Sequence, residues 1–262
     1  MIEENRPHPH LRVERDGEVV TVSLSNPERR NAQTPSLWLA LADVAERLDP
    51  ATRVVVLRAD GPSFSAGLDL AVLTPEGVQG EVSMLEQAAR GAQEMADVIA
   101  PFQRAFSAWA DVDAIVIAAV QGHAIGAGFQ LALAADLRVV ADDVQLAMRE
   151  TSLGLVPDLG GTGPLVHLVG YSKALELCAT GRAVGAAEAV ASGLASVAVP
   201  HDELKATTDD LVAAILAAPA PAVRELKPLL RQAQLSPRDE QLRHEREAQG
   251  RLMHALVTRA GG

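Results

Sequence analysis

A glycine-rich stretch placed directly after a buried strand constrains the fold of this chain more than any other feature. Residues 114–120 (AIVIAAV) are apolar and rich in β-branched side chains, which predicts a buried strand. Residues 120–140 (VQGHAIGAGFQLALAADLRVV) then place three glycines before a helical run in which Gln130 is a single polar side chain among apolar ones. Glycines at the start of a helix let the backbone approach a ligand or a neighbouring strand closely.

Two nucleotide-binding motifs fit this stretch poorly. The dinucleotide fingerprint requires G-x-G-x-x-G, whereas Gly122, Gly126 and Gly128 are spaced as G-x-x-x-G-x-G. The phosphate-binding P-loop requires Gly-Lys-Ser/Thr, and the stretch contains no lysine. Taken alone, the segment is equally compatible with close packing of a helix on a strand.

A second segment has the same design. Residues 63–70 (SFSAGLDL) form a turn of small residues after the apolar run 53–59 (RVVVLRA), which also predicts a buried strand. Two such turns can direct two backbone N–H groups at one point. That arrangement is an oxyanion hole, in which each donor stabilises a transition state by about 3 kcal/mol.

The rest of the chain predicts a mixed β/α order followed by helices. Residues 11–24 predict a β-hairpin around Asp16-Gly17, and Thr34 with Pro35 predicts a capped helix start. A helix is expected over residues 83–109, and everything after His201 has a helical pattern. The remaining expected elements are strands at 137–143, 144–148 and 194–199 and short helices at 160–170, 172–180 and near 186–193.

Composition excludes several classes of protein. The net charge of −11 argues against nucleic acid or an anionic membrane as the main partner. No apolar run approaches the roughly 20 residues that span a bilayer. Cys178 is the one cysteine, so no intrachain disulfide can form, and a cytoplasmic location is expected. The histidines of PHPH (residues 7–10) are interpreted as part of a flexible terminal arm, and no metal site is expected.

Four segments together resemble the crotonase (enoyl-CoA hydratase/isomerase) superfamily. They are NPERRNAQ (26–33), SFSAGLDL (63–70), residues 120–140 and ETSLGLVPDLGGTGPLVHLVG (150–170), in the order and spacing of that family. The resemblance implies an α/β fold, a crotonase-like superhelix of repeated ββα turns. Residues 1–200 would form the acyl-CoA-binding core and residues 201–262 a helical oligomerisation region. The family also implies trimers, often paired as hexamers.

The resemblance also assigns the substrate-binding residues. Leu68 and Ala127 would donate the two N–H groups of the oxyanion hole to the carbonyl oxygen of an acyl-CoA thioester. The backbone of Ala66 would meet the adenine of coenzyme A, and Arg29 and Arg30 would supply positive charge to its phosphates. No cofactor beyond the substrate's own coenzyme A is expected. Further residues assigned to substrate binding are Gly67, Asp69, Gly126, Gly128 and Gln130.

Three polar residues decide which chemistry the resemblance implies. Typical hydratases of the family carry two glutamates; Glu150 matches the second, but Gln130 stands at the first, and an amide cannot accept a proton from water. Asp158, where hydratases usually have glycine, matches some dienoyl-CoA isomerases and relatives that isomerise ring-derived CoA thioesters. Double-bond isomerisation by Glu150 and Asp158 is therefore the first hypothesis, hydration the second, and non-catalytic acyl-CoA binding the third.

Each of these residues also has a structural interpretation. Gln130 could be satisfied by backbone, Glu150 could pair with Arg149 on the surface, and Asp158 could cap the helix that begins near Gly160. The carboxylates are expected to have apolar neighbours, namely Leu153, Leu155, Val156 and Leu159. The C-terminal sequence LMHALVTRAGG lacks the aromatic and lysine that relatives add to the coenzyme A site.

Overall fold

The computed structural model describes residues 3–260, which form a mixed α/β structure. The strands of these residues are β1 (Glu3–His8), β2 (Leu11–Asp16), β3 (Val19–Leu24), β4 (Val54–Ala59), β5 (Ile115–Val120), β6 (His123–Ile125), β7 (Leu137–Ala141), β8 (Gln145–Ala147) and β9 (Val197–Val199). Seven of them form one sheet in the order β1-β2-β3-β4-β5-β7-β9, and β6 pairs with β8 in a second, two-stranded sheet. β1, β2 and β3 pair antiparallel, and the other pairs are parallel.

Helices follow most of the strands and make up the C-terminal fifth of the chain. They are α1 (Pro35–Glu46), α2 (Met84–Arg90), α3 (Ala92–Asp111), α4 (Ala127–Ala134), α5 (Thr162–Val169), α6 (Tyr171–Thr180), α7 (Ala186–Ala191), α8 (Leu204–Ala217), α9 (Ala220–Ala233) and α10 (Arg238–Ala260). Within residues 3–260, none of these helices has both the length and the apolar character needed to cross a membrane.

The two faces of the large sheet are covered by different helices, because successive strand residues point to opposite sides. Val55 and Leu57 of β4 belong to the main core, together with Trp38 of α1. Val56, between them, faces a second apolar cluster that includes Val212 of α8. The first helix of the C-terminal region therefore completes the packing of the sheet.

Most of the predicted elements are confirmed. The hairpin over residues 11–24 is β2 and β3, and the apolar runs at 53–59 and 114–120 are the central strands β4 and β5. A helix begins at Pro35 as expected, although the Thr34 side chain makes no capping hydrogen bond within the described residues. The helical pattern after His201 corresponds to α8, α9 and α10. The assignment of separate roles to residues 1–200 and 201–262 stays a prediction.

Two expectations about local structure are wrong. The N-terminal arm is not a flexible tail, because residues Glu3–His8 pair antiparallel with β2 through backbone hydrogen bonds that do not depend on apolar side chains. The helix expected over 83–109 is two helices, α2 and α3, since Gly91 separates them with a φ of 148°. That conformation is open to glycine and strained for other residues.

Buried cations attach the C-terminal helices to the core. Lys227 of α9 is 6% exposed, and its Nζ lies 2.7 Å from Asp136 Oδ2 and donates to the carbonyl oxygen of Ala114 at 2.7 Å. Arg53, before β4, donates to the carbonyl oxygens of Ile215 and Ala218 at 3.2 and 2.6 Å. These bonds fix the last turn of α8 and the residue that follows it, where backbone carbonyl oxygens lack the regular helical partner.

Candidate active site

Two loops of small residues meet at the carboxyl ends of β4 and β5. The Ser65 N–H donates to the carbonyl oxygen of His123 at 2.8 Å, and the Ile125 N–H donates to the carbonyl oxygen of Ser65 at 3.0 Å. A Cβ on Gly67 would lie 2.5 Å from the carbonyl oxygen of Ile125 and 3.5 Å from the nitrogen of Ala127. Because Gly67 also has a φ of 87°, only glycine fits this contact between the loops.

The contact between the loops brings the residues around Gly67 next to the start of α4. Leu68 follows Gly67, and Ala127 is the first residue of α4. Among residues 3–260, neither of their N–H groups takes part in the backbone hydrogen-bond pattern. Gly128 allows the close approach that holds α4 here, since a Cβ on it would lie 2.6 Å from the carbonyl oxygen of Ser65. The geometry is compatible with the predicted oxyanion hole.

Residues 26–33 form hydrogen bonds that hold the first loop, residues 63–70, in place. The Ala66 N–H donates to the carbonyl oxygen of Arg30 at 2.8 Å, and the Gln33 N–H donates to that of Gly67 at 2.8 Å. The buried Asn31 side chain donates to the carbonyl oxygens of Asp60 and Ser63 at 2.9 and 2.8 Å. From the sequence, no role was assigned to Asn31. The feature that could have indicated one is a neutral amide within a loop whose other polar residues are mostly charged.

Buried hydroxyl and amide groups complete this support. Gln33 Nε2 donates to Ser65 Oγ at 3.0 Å, and Ser65 Oγ accepts from the Gly67 N–H at 3.1 Å. Ser65 Oγ in turn donates to the carbonyl oxygen of Asn31 at 2.8 Å. Gln33 and Ser65 are both fully buried. The loop that would hold the thioester is therefore rigidly positioned by a hydrogen-bond network.

The other residues expected to bind substrate differ in their surroundings. Asp69 is buried, and its Oδ1 accepts from the Ala71 N–H at 3.2 Å and from Arg29 Nη2 at 3.1 Å. Arg30 and Ala66 are exposed, and Arg30 forms no ion pair within the part of the chain that the structure describes. Arg30 is thus available to an anion, whereas Arg29 already contacts a carboxylate.

Glu150 lies beside the second loop, in a 3₁₀ turn that follows β8. A Cβ on Gly126 would lie 3.3 Å from Glu150 Oε1, so the carboxyl group is close to the start of α4. Glu150 Oε1 accepts a hydrogen bond from Gln130 Nε2 at 2.8 Å. Glu150 Oε2 is shielded from solvent and has no hydrogen-bond partner among residues 3–260. An ion pair with Arg149 is not observed in that range.

Burial raises the pKa of Glu150 above that of an ordinary glutamate. The negative charge of Asp158 raises this pKa further, while the nearby N–H groups of Gln130, Glu150 and Arg149 oppose the rise. Burial also raises the pKa of Asp158. Asp158 is therefore close enough to influence Glu150, and both carboxyl groups release a proton less readily than exposed carboxyl groups do.

Asp158 does not cap the following helix. α5 begins at Thr162, and its first turn receives no side-chain capping bond within the described residues. Gln130 satisfies the backbone before α5 instead, because its Oε1 accepts hydrogen bonds from the Leu159 and Gly161 N–H groups at 3.0 and 3.2 Å. The carbonyl oxygen of Asp158 accepts from Gln103 Nε2 at 2.7 Å. The Asp158 backbone is fixed, while its carboxyl group is not used for capping.

The expected apolar walls are only partly present. Leu159 is 3% exposed, but Leu153, Leu155 and Val156 are 51%, 46% and 67% exposed. The expectation that these three shield the carboxylates is wrong for the single chain, because the turn that carries them lies on the surface. Within residues 3–260, no group of three or more histidine, cysteine, aspartate or glutamate side chains is arranged to hold a metal ion.

Comparison with known proteins decides the family. A profile of the family described as enoyl-CoA hydratase/isomerase matches residues 14–261. The chain belongs to the enoyl-CoA hydratase/isomerase family. It is therefore an enzyme of the enoyl-CoA hydratase/isomerase type, and the resemblance inferred from the four sequence segments is confirmed.

Individual relatives agree with this assignment. A Mycobacterium bovis protein named "Probable enoyl-CoA hydratase" is 32% identical over 253 residues, covering 93% of this chain and 88% of its own. A carnitinyl-CoA dehydratase of Salmonella enteritidis is 32% identical over 247 residues, with the same coverage of 93% and 88%.

Solved structures of the family share the whole fold. A Thermobifida fusca protein in complex with CoA has a TM-score of 0.89 and 46% identity, covering 95% of each chain. A Thermobifida fusca structure in complex with acetoacetyl-CoA has a TM-score of 0.88 and 47% identity, covering 94% of this chain and 95% of that one. The predicted crotonase-like α/β fold is confirmed.

Proposed function

We propose that this protein binds acyl-CoA thioesters and moves a carbon–carbon double bond along the acyl chain. The observation that carries this proposal is the partly buried carboxyl group of Glu150, which lies beside the start of α4 and close enough to Asp158 for the charge of Asp158 to raise its pKa. Thermobifida fusca proteins of the same fold in complex with CoA and with acetoacetyl-CoA support a thioester as the ligand. Arg30 would pair with the phosphates of coenzyme A, a role that its exposure supports.

The reaction begins when the thioester oxygen accepts hydrogen bonds from the N–H groups of Leu68 and Ala127. These donors stabilise negative charge on that oxygen and so make the C2 protons of a 3-enoyl thioester more acidic. Glu150 Oε2 removes one C2 proton, the C–H electrons form the C1=C2 bond of a dienolate, and the electrons of the carbonyl π bond move onto the thioester oxygen.

The second half of the reaction returns a proton at C4. The electron pair on the thioester oxygen re-forms the carbonyl, and the C1=C2 electrons form the C2=C3 bond. The C3=C4 electrons take the proton at C4, so the product is a 2-enoyl thioester of unchanged mass. Glu150 carries the same proton across, or Asp158 delivers one and is reprotonated by Glu150. The cycle consumes no redox equivalent or added nucleophile, so we propose that no cofactor is needed beyond the coenzyme A of the substrate.

Hydration is the second candidate, favoured by the hydratase and dehydratase names of relatives. It requires a group that takes a proton from the attacking water. Gln130 Oε1 already accepts two backbone N–H groups, and Gln130 Nε2 donates to Glu150, so this amide has no capacity to act as a base. Hydration by this chain would depend on Glu150 and Asp158 instead.

The test is to incubate the purified protein with 2-enoyl-, 3-enoyl- and dienoyl-CoA esters and to follow absorbance and product mass. In ordinary water isomerisation leaves the mass unchanged, and in heavy water exchange of the transferred proton with solvent places deuterium at C2 or C4. A product heavier by one water molecule from 2-enoyl-CoA, without shift of a 3-enoyl bond, would replace the proposal by hydration. Binding of all esters without conversion would leave the non-catalytic alternative.

A further inference from the structure

The Gln130 side chain is fully buried and connects two parts of the candidate site. Its exposed fraction is 1%. Its Nε2 donates to Glu150 Oε1 at 2.8 Å, and its Oε1 accepts from the N–H groups of Leu159 and Gly161 at 3.0 and 3.2 Å. One amide thus joins the turn that carries Glu150 to the segment that carries Asp158.

Close packing keeps the amide in this orientation. A Cβ on Gly161 would lie 2.6 Å from Gln130 Cγ and 3.1 Å from Gln130 Oε1, so the segment rests directly on the side chain. Reversing the amide would point its NH₂ group at two N–H donors and its oxygen at a carboxylate, which would lose all three bonds. The contacts therefore fix which end of the amide faces Glu150.

The hydrogen bond from Gln130 gives the two carboxyl oxygens of Glu150 different surroundings. Oε1 holds the amide donor, whereas Oε2 is shielded from solvent and has no hydrogen-bond partner among residues 3–260. A shielded carboxylate oxygen without a partner costs free energy unless a ligand atom or a proton satisfies it. Oε2 is thus the atom of Glu150 that is left for a reacting group.

We propose that Gln130 is a positioning residue that holds Glu150 Oε1, directs Oε2 toward the substrate and fixes the Asp158 segment, rather than a residue that contacts substrate or water. This proposal rests on the isomerase function proposed above. It replaces the expectation, drawn from the sequence resemblance, that Gln130 binds the substrate. The amide takes the place of a second carboxylate and opposes the effect of burial on Glu150, since a donor at Oε1 favours the charged form.

Two substitutions of Gln130 separate its contact with Glu150 from its contacts with the Leu159 and Gly161 N–H groups. Gln130→Met has a similar length and removes all three bonds. Gln130→Glu keeps the acceptor for the Leu159 and Gly161 N–H groups but places a second carboxyl group against Glu150. Gln121→Met is the matched control, because Gln121 is also buried and also anchors loop backbone, donating to the carbonyl oxygens of Ala59 and Gly61 at 2.8 and 2.9 Å.

The experiment measures the carboxyl titration of Glu150 and the pH dependence of kcat in each protein. Carbon-13 labelling of glutamate, with Glu150→Gln to identify the signal, reports the titration without any turnover. We expect Gln130→Met to move the Glu150 titration and the acidic limb of kcat to higher pH, because the charged form loses its donor. Gln130→Glu should move both further, since two adjacent carboxyl groups share one proton.

Turnover should change with little effect on KM. A loosened Glu150 should lower kcat roughly tenfold to a hundredfold in Gln130→Met, as for other misplaced catalytic groups. Gln121→Met should lose thermal stability while the Glu150 titration stays as in the native protein. If Gln130→Met does not fold, Gln130→Glu provides the result, because it preserves the shape and the backbone bonds of the native residue.

A Glu150 titration that is the same in the native and Gln130-substituted proteins would overturn the proposal. So would a loss of substrate affinity with kcat unchanged, which would indicate direct contact with the substrate. Should the native protein convert no CoA ester, the proposed function fails, and the carbon-13 titration still decides whether Gln130 sets the state of Glu150.

Discussion

At the scale of single residues, the candidate site depends on two partly buried carboxyl groups that form no ion pair among residues 3–260. Burial is the largest influence on both Glu150 and Asp158 and raises the pKa of each. In each case the neutral form is favoured relative to an exposed carboxylate. The same feature that suits them to proton transfer also costs the folded protein stability when they are ionised.

Replacement of Glu150 by glutamine should separate catalysis from binding. Glu150→Gln keeps the shape of the side chain but cannot accept the C2 proton, so we expect kcat to fall roughly a thousandfold. Affinity for the acyl-CoA should change little, because the donors at Leu68 and Ala127 remain. Steady-state kinetics and calorimetric titration measure the two effects. Glu203→Gln, on the exposed surface, is the control, and full activity in Glu150→Gln would leave acyl-CoA binding as the better explanation.

Replacement of Asp158 by asparagine should lower the rate and raise stability at neutral pH. The folded pKa of Asp158 lies above its unfolded value, so its ionised form is less favourable in the folded state. The gain of Asp158→Asn over the native protein should be full above the folded pKa, shrink as the pH falls through it and vanish below the unfolded pKa of about 3.9. Thermal unfolding across pH measures this gain. A variant that is less stable at pH 7 would instead indicate a structural role for the carboxylate.

At the scale of elements, the site is made where strand ends, tight loops and one helix start meet. α4 begins at Ala127, and proline is tolerated at the first position of a helix. Ala127→Pro should therefore fold but lack one donor of the proposed oxyanion hole, and turnover should fall by about 10²- to 10³-fold. Circular dichroism checks the fold and steady-state kinetics the rate. Ala127→Ser retains the N–H and should retain the rate; a folded, fully active Ala127→Pro would show that the donor lies elsewhere.

The attachment of α9 to the core gives a second prediction for an element. Lys227→Ala would leave the Asp136 carboxylate without its buried partner, which typically costs about 3–5 kcal/mol of unfolding free energy. Urea denaturation measures this loss. The paired change Asp136→Asn with Lys227→Met removes both charges and should recover much of it. Equal stability in the single and paired variants would mean that the charge pair does not hold α9.

The elements that sequence could predict were those marked by a strong local pattern. β5 is apolar along its whole length, β4 is apolar except for Arg58, and Pro35 marks the start of α1. β1 was missed because its sequence, EENRPH, is polar and its pairing with β2 comes from the backbone. The loops at residues 63–70 and 120–128 could be recognised from the glycines in their sequences.

The parts of the site that sequence could not predict depend on contacts between distant segments. Gln130 was singled out as an inward amide, but nothing near it in the chain reveals the bonds to Leu159 and Gly161, 29 and 31 residues away. Likewise Asn31 and Gln33 reach groups more than 28 residues further on. Such tertiary hydrogen bonds leave no periodic signal in the sequence.

At the scale of the whole molecule, the surface retains large apolar side chains that a monomer would leave in water. Among them are Leu153, Leu155, Val156, Tyr171 and Leu175. Exposed apolar area of this kind is typical of interfaces between proteins. We therefore expect trimers or pairs of trimers, as the family resemblance implies. Sedimentation at micromolar concentration should give a mass at least three times that of the 27.5 kDa chain, and a monomer alone would contradict the expectation.

The edges of the large sheet limit how copies of this protein can join. β1, at one edge, carries the charged Glu4 and Arg6, a register irregularity, and Pro7, which has no N–H to offer a further strand. β9, at the other edge, is three residues long. Neither edge is a good template for an added strand. Concentrated solutions of this protein should accordingly resist growth into cross-β fibres, and a contact between copies would have to use side-chain surfaces instead of added strands.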